Sequence, residues 1–391
     1  MEFFKPGKQY NFLGVAGTMT KLSALVVLAS WALVATKGLN FGIDFAGGTE
    51  ALLAFSKSID IGELKAEVEK VGLDTPEVVI YGLADEGRYF VRSRTQSLLS
   101  EADTAKIKGA LTGKFGEPLL WDASDESGEE IRVQFKEAHK LPEIEAALTE
   151  AGVAGTSATK QTEASNPTYL VRLPGVRQRL QEAMAAKYGK VTKDEAGAFQ
   201  GDGAFFAIER MESVGSAVGR QMRNQGILAV LYALIGILLY VSFRFDLRYS
   251  PGAVVALIHD VSITVGVFSL AGLEFNLPII AALLAIVGYS LNDTIVVYDR
   301  IRESLKMGLG TTLPETINLS VSDTISRTVL TSLTTFLAVL AIWVFGGGII
   351  QNFAFAMLVG IVVGTYSSIY IASPIVIFMD RYLRGRQGAT A

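Results

Sequence analysis

Asp260, Asp293 and Arg327 are ionisable residues set within long apolar runs. A charge at the centre of a bilayer costs roughly 2.5–3.5 kcal/mol on insertion scales, so residues of this kind are functional candidates by default. Asp260 follows His259 near the middle of its run. Asp293 lies in Gly288-Tyr289-Ser290-Leu291-Asn292-Asp293-Thr294, and Arg327 stands near the start of a run carrying Thr331, Ser332, Thr334 and Thr335. Arg327, Thr331 and Thr334/Thr335 recur at helical spacing and form one polar stripe. The Asp293 and Arg327 segments run in opposite directions, which lets the two residues meet at one depth. Two chemistries compete. A buried structural pair would orient helices, although desolvation largely offsets its attraction. A carboxyl that exchanges protons would couple the two sides of a membrane, and one charge crossing 100 mV is worth about 2.3 kcal/mol. The proton-coupling candidates are therefore Asp293, Arg327 and Asp260, supported by Asn292, Ser290, Thr331, Thr335 and His259.

Other chemistries are excluded by residue type. The chain has no cysteine, and its only histidines are His139 and His259. Disulfides, zinc–thiolate sites and cysteine nucleophiles are ruled out, and a histidine-rich metal site or a Ser-His-Asp triad has little room. A net charge of −4 argues against a broad nucleic-acid surface. The glycine cluster Phe41-Gly42-Ile43-Asp44-Phe45-Ala46-Gly47-Gly48-Thr49-Glu50 lacks the Gly-Lys-Ser/Thr of a phosphate loop. Gly42, Gly47 and Gly48, with Asp44, are read as a structural motif that permits a tight turn and close backbone contact. No cofactor, metal or catalytic residue is expected, and the protein is not read as an enzyme.

These residues need membrane helices to position them. Of 391 residues, half are hydrophobic and only 19% are charged, against about 25% in a soluble chain. Six segments are long enough to span, at about 21–36, 226–243, 251–272, 277–298, 325–345 and 350–379, the last interrupted by Pro374. Basic residues gather on alternate loops: Lys5, Lys8 and Lys21; Arg244 and Arg248; Arg300, Arg302, Lys306 and Arg327; Arg381, Arg384 and Arg386. This asymmetry predicts cytoplasmic termini and a polar region of about 180 residues outside. Residues 300–313 read as a basic interfacial element. Gly360, Gly364 and Ser368 recur every four residues, a small-residue face for helix packing.

The polar region repeats itself at a shift of 80 residues: Glu50 on Glu130, Phe55 on Phe135, Glu63 on Glu143, Gly72 on Gly152, Tyr89 on Tyr169 and Arg92 on Arg172. Each copy reads βαββα, at about 49–116 and 129–189, with its second helix near 101–115 or 176–188 closing the copy. A last strand near 204–209 is expected to complete the second sheet. The predicted fold is an α-helical membrane protein with six transmembrane helices and an α+β, ferredoxin-like extracytoplasmic domain. Its domains are residues 1–40 (amino terminus and first helix), 41–215 (outer domain), 216–380 (five-helix bundle) and 381–391 (cytoplasmic tail).

Several stretches together resemble the SecF family of protein-export membrane proteins, within the resistance-nodulation-division superfamily. They are FGIDFAGGTE at 41–50, IERMESVG at 208–215, HD at 259–260, GYSLNDTIVVYDRIRE at 288–303, SRTVLTSLTT at 326–335 and GTYSSIYIASPI at 364–375. The resemblance implies a partner, SecD, with a similar six-helix core, and action beside the SecYEG channel on unfolded exported polypeptides. It implies use of the proton motive force late in translocation, residence in the inner membrane, and YajC and YidC as further partners. It places Asp293 and Arg327 at the family's proton-transport positions, Asp260 at an HD pair, and Asp44 in the first signature. SecF proteins usually look as though they carry one outer unit, whereas this chain has two. Three alternatives stand beside this reading: half of a heterodimeric small-molecule or lipid exporter of the same superfamily, an intramembrane aspartyl protease using Asp260 and Asp293, and a receptor whose duplicated domain binds a ligand.

Overall fold

The computed structural model describes residues 9–388, apart from 72, 74–75, 82–85, 95–100, 124–129, 153–155, 162–166, 173–175, 189–191, 194–198, 201–205 and 247. Lys5, Lys8, Gly72, Gly189 and Ala204, used in the reading above, lie outside the described residues. Two compact units emerge, residues 43–223 and residues 1–42 with 224–391.

After α1 (Phe12–Thr36), the α+β unit runs β1 (Gly48–Phe55), α2 (Ile61–Lys70), β2 (Glu77–Ile80), β3 (Arg88–Ser93), α3 (Glu101–Phe115), β4 (Leu120–Asp122), β5 (Glu130–Gln134), α4 (Leu141–Glu150), β6 (Ser157–Lys160), β7 (Thr168–Arg172), α5 (Val176–Tyr188) and β8 (Phe206–Val214). Two four-stranded sheets result, ordered β8-β1-β3-β2 and β4-β5-β7-β6, and every neighbouring pair is antiparallel. The duplication extends to side-chain detail. Glu50 faces Arg92 and Glu130 faces Arg172 in register, with ion pairs of 3.0 and 3.1 Å. The buried Tyr89 hydroxyl accepts from the Ile59 amide at 2.7 Å and donates to the Ile59 carbonyl at 2.6 Å. Tyr169 does the same to His139, at 2.7 Å each way. Phe55 and Phe135 are both buried, each against its own copy's tyrosine.

The second helices, however, are exchanged. Ile107 and Leu111 of α3, from the first copy, pack with Ile131, Val133, Ile144 and Tyr169 of the second. Val176, Leu180 and Met184 of α5, from the second copy, pack with Leu53, Leu64, Tyr89 and Val91 of the first. The strands that follow are exchanged too. The last strand, β8, pairs with β1 and so completes the first sheet rather than the second, while β4 completes the second. The first layer is thus β1-α2-β2-β3 continued by α5-β8, the order that a ferredoxin-like βαββαβ layer requires. The second layer, α3-β4-β5-α4-β6-β7, lies wholly between β3 and α5 in sequence.

The physical reason is that apolar periodicity marks which face of a helix is buried but not which of two nearly identical sheets receives it. Charge supplies part of the choice. Lys187 of α5 reaches Glu63 and Glu67 of α2, both at 2.8 Å, and position 147, the counterpart of Glu67, is alanine. The Lys187 ammonium hydrogen-bonds both carboxyls and holds them below their ordinary range.

The helical unit continues with α6 (Ser216–Arg244), α7 (Ser250–Ala271), α8 (Leu277–Lys306), α9 (Leu313–Phe345), α10 (Gly348–Ser367), a π-helical turn (Ser368–Ala372) and α11 (Ser373–Gly388). With α1, six helices among the described residues are long and apolar enough to cross a membrane, the sixth being α10 continued through the π turn. Asn276 and Thr312 cap α8 and α9 through their side chains, each with proline in the first turn, as suits an N-terminus. In the expected interfacial element at 300–313, α8 runs to Lys306, residues 307–312 form the turn, and α9 starts at Leu313. Arg300 of α8 joins Asp323 of α9 at 2.6 Å and helps extend both helices past the apolar spans. At Pro374 the helix does not break. The π turn precedes it, and the Ser373 hydroxyl donates to the Ser368 carbonyl at 2.9 Å.

Candidate functional site

Asp260 on α7 is fully buried. One carboxylate oxygen accepts from Ser290 Oγ of α8 at 2.5 Å and from Ser367 Oγ of α10 at 2.8 Å. The other lies 2.9 Å from His259 Nδ1. Three helices therefore converge on one carboxyl group. Gly364 makes this possible, since a Cβ there would stand 2.9 Å from the Ser290 Cβ. Its absence lets α10 approach α8 until both hydroxyls reach the same oxygen. Gly360 does likewise one turn earlier, where a Cβ would collide with Ile286. Ser368 is buried in the π turn and bonds back to the Gly364 and Thr365 carbonyls at 3.2 and 3.1 Å. The ring of His259 stacks 6.2 Å from Tyr366, and its buried Nε2 has no hydrogen-bond partner among the described residues. The Tyr366 hydroxyl donates to the Met19 carbonyl and accepts from Ser23 Oγ, both at 2.9 Å, so α1 joins the same network.

Asp293 is buried on α8, three residues from Ser290 and thus on the same helical face. It accepts from Ser332 Oγ of α9 at 3.4 Å. Ser332 is linked in turn to Thr365 Oγ1 of α10 at 2.8 Å and accepts from Tyr289 at 3.4 Å. Arg327 makes no ion pair with Asp293, although its guanidinium is near enough to act on that carboxyl electrostatically. Arg327 is exposed, makes no ion pair among the described residues, and lines a cavity at the far end of α8. The stripe from Arg327 faces away from the carboxyl. Thr331 bonds the Arg327 and Thr328 carbonyls, and Thr335 bonds the Thr331 carbonyl, the local back-bonding available to hydroxyls in helices. Thr328 and Ser332, one residue along, form the buried stripe instead. Asn292 is exposed.

Sequence reasoning missed Ser367 and Ser332 as ligands of the carboxyls, and Thr365 as the partner of Ser332. Ser332 was legible as one turn from Thr328. Ser367 and Thr365 were hidden in a small-residue run read as packing. Asp44 lies in a single helical turn, Ile43–Ala46, followed by Gly47 and Gly48 at φ of 76° and 134°. A side chain at position 48 would strike the Ser93 carbonyl. Gly42 donates its amide to the Phe275 carbonyl at 3.0 Å. Among the described residues, no group of three or more His, Cys, Asp or Glu gathers as a metal site.

Hydroxyl ligands have a chemical consequence. An ionised carboxylate accepts from a serine hydroxyl, and the protonated acid can donate to the same oxygen. Each carboxyl here can thus change protonation state without losing its partner, which a lysine or a backbone amide would not allow.

Comparison with known proteins identifies the family of the chain. Residues 197–382 match the family profile "Protein export membrane protein SecD/SecF, C-terminal", and residues 32–59 match "SecD/SecF GG Motif". The protein translocase subunit SecF of Koribacter versatilis is 34% identical over 98% of this chain and 93% of its own. That of Calditerrivibrio nitroreducens is 33% identical over 99% of both chains. The crystal structure of SecDF from Thermus thermophilus, described as a translocon-associated membrane protein, superposes with a TM-score of 0.61 at 29% identity over 96% of this chain. This chain spans 39% of that longer polypeptide. By its full-length similarity to these translocase subunits and by its six apolar helices, the chain belongs to the SecF family of protein-export membrane proteins.

Proposed function

We propose that this protein is the SecF-type half of a SecD–SecF pair that draws on the proton motive force to assist late protein translocation through SecYEG. The observation that carries the reading is the pair of buried carboxyls, Asp260 and Asp293, each ligated by hydroxyls from neighbouring helices. Asp293 is the group that gains and loses the proton. When ionised it draws a cation or more donors, with Arg327 as the nearby guanidinium. When protonated it is satisfied by Ser332. A proton shifts a conformational equilibrium only through its differential affinity for the two states, and exchange of Asp293 between these partners supplies that difference. Asp260, bridging α7, α8 and α10, transmits the change. In this reading both termini are cytoplasmic and the duplicated α+β unit lies outside, acting on emerging polypeptide. The fused SecDF relatives support a SecD-like partner.

The test is export into inverted membrane vesicles carrying Asp293→Asn. The expected result is normal insertion and normal co-purification with the SecD partner, but loss of the ionophore-sensitive part of export. Wild-type, ionophore-sensitive export by that variant would return Asp293 to a structural role. Single cysteines at Lys65 and Lys140, probed with an impermeant thiol reagent in intact cells, test the orientation. Labelling only after lysis would reverse it.

A further inference from the structure

Five basic side chains surround one cavity of about 550 Å³: Arg244 at the end of α6, Arg300, Arg302 and Lys306 in the last turns of α8, and Arg327 of α9. Two carboxylates share the lining, Asp299 and Glu303, and both are already engaged. Asp299 lies 3.7 Å from Arg244 and Glu303 lies 2.7 Å from Arg300, which also holds Asp323. Among the described residues Arg302 and Lys306 make no ion pair, and Arg327 makes none either, although its charge acts on the more distant Asp293. Arg302 and Lys306 are four apart and share a helical face. Three cations outside any ion pair, from two helices, thus converge on a concave space large enough for a polar group. Mutual repulsion makes that arrangement unfavourable until an anion enters it.

The depth of the cavity defines the anion. Arg244 and Lys306 end the apolar helices α6 and α8, where a membrane helix leaves hydrocarbon for headgroups. Phe243, next to Arg244, is 96% exposed, and Val296 is an apolar residue of the cavity lining. Guanidinium forks match phosphate oxygens in pairs, and basic pockets between membrane helices are suited to anionic lipid headgroups. We propose that this cavity is a binding site for a phosphate group, held by Arg302, Lys306 and Arg327. The group comes either from an anionic phospholipid or from a soluble phosphate. The proposal shares Arg327 with the proposed function, but it is read by binding alone and stands if Asp293 has a purely structural role.

The full chain, purified in detergent, is titrated in one arm with inorganic pyrophosphate by calorimetry. In a second arm it is placed in phosphatidylcholine nanodiscs doped with phosphatidylglycerol, and retained lipid is counted by native mass spectrometry. Arg302→Gln is expected to weaken binding about fivefold in whichever arm is positive, the effect of removing one cation near a membrane surface. Asp299→Asn, which removes a competing carboxylate from the lining, is expected to tighten it. Arg381→Gln removes a basic residue of α11 that does not line the cavity and should leave it unchanged. Binding in the lipid arm alone identifies a headgroup, binding in the pyrophosphate arm alone a soluble phosphate, and binding in both a site open to either. Absence of binding in both arms overturns the proposal. So does equal weakening by Arg302→Gln and Arg381→Gln, which would mean diffuse basic charge. Should Arg302→Gln fail to fold, the opposite-signed effect of Asp299→Asn decides by itself.

Discussion

Buried polar groups serve two different ends in the two units. In the α+β unit, Tyr89 and Tyr169 each clamp one backbone residue through both its amide and its carbonyl, and the device appears twice, 80 residues apart. In the helical unit, Asp260 is held by hydroxyls of two other helices and by the adjacent His259 ring, and Asp293 by the Ser332 hydroxyl, while His259 Nε2 has no hydrogen-bond partner among the described residues. A backbone clamp has one satisfied state. A carboxyl among hydroxyls has two, because each hydroxyl both donates and accepts. Polarity that is duplicated and saturated by backbone maintains a fold, and polarity that is unique and ligated by rotatable hydroxyls can change state.

The contrast can be broken at four places. The largest effect is expected from Asp260→Asn, measured as proton-motive-force-dependent export in vesicles. At least about a tenfold loss, equivalent to about 1.4 kcal/mol of barrier, should occur with insertion intact. Unchanged export would make Asp260 as structural as Tyr89. Next, Tyr89→Phe should strand the Ile59 amide and carbonyl and cost about 1–3 kcal/mol of α+β-unit stability, read from denaturant unfolding. Tyr169→Phe should cost a similar amount through His139, and export per folded molecule should be unaffected by either. A third and smaller effect is expected from Gly364→Ala. The added methyl meets Ser290, so overpacking of about 1 kcal/mol should accompany loss of coupling. Coupling that survives would show that both hydroxyls need not share one oxygen.

The smallest effect concerns Lys187, which fastens the exchanged helix α5 to α2. Its hydrogen bonds lower the folded-state pKa values of Glu63 and Glu67. Groups with depressed folded values contribute stability above their unfolded range and lose it as pH falls through the folded values. Acidification below the usual carboxylate range should therefore loosen α5 in wild type. Lys187→Met should flatten that acid limb and leave neutral-pH stability little changed, as for other exposed pairs. Hydrogen exchange of α5 amides at pH 3 and pH 7 reads the difference.

Six apolar spans, the 80-residue repeat and the intramembrane carboxyls were all legible in the sequence, because each is written in composition or in local spacing. Hydrocarbon selects length and apolarity residue by residue, and a duplication preserves register. Tertiary structure decided everything that depends on which of two similar partners is met. The exchange of α3 with α5 and of β4 with β8 was invisible, since helix periodicity reports an apolar face and no address. Arg327, Thr331 and Thr334/Thr335 read as one polar stripe, yet the buried hydroxyls are those of Thr328 and Ser332, one residue along. A polar helix face lists hydroxyls in sequence, but its rotation is set by how α9 packs against α8 and α10. Ser367 reached Asp260 only because Gly364 brings two backbones together, a distance that no spacing along one chain segment encodes.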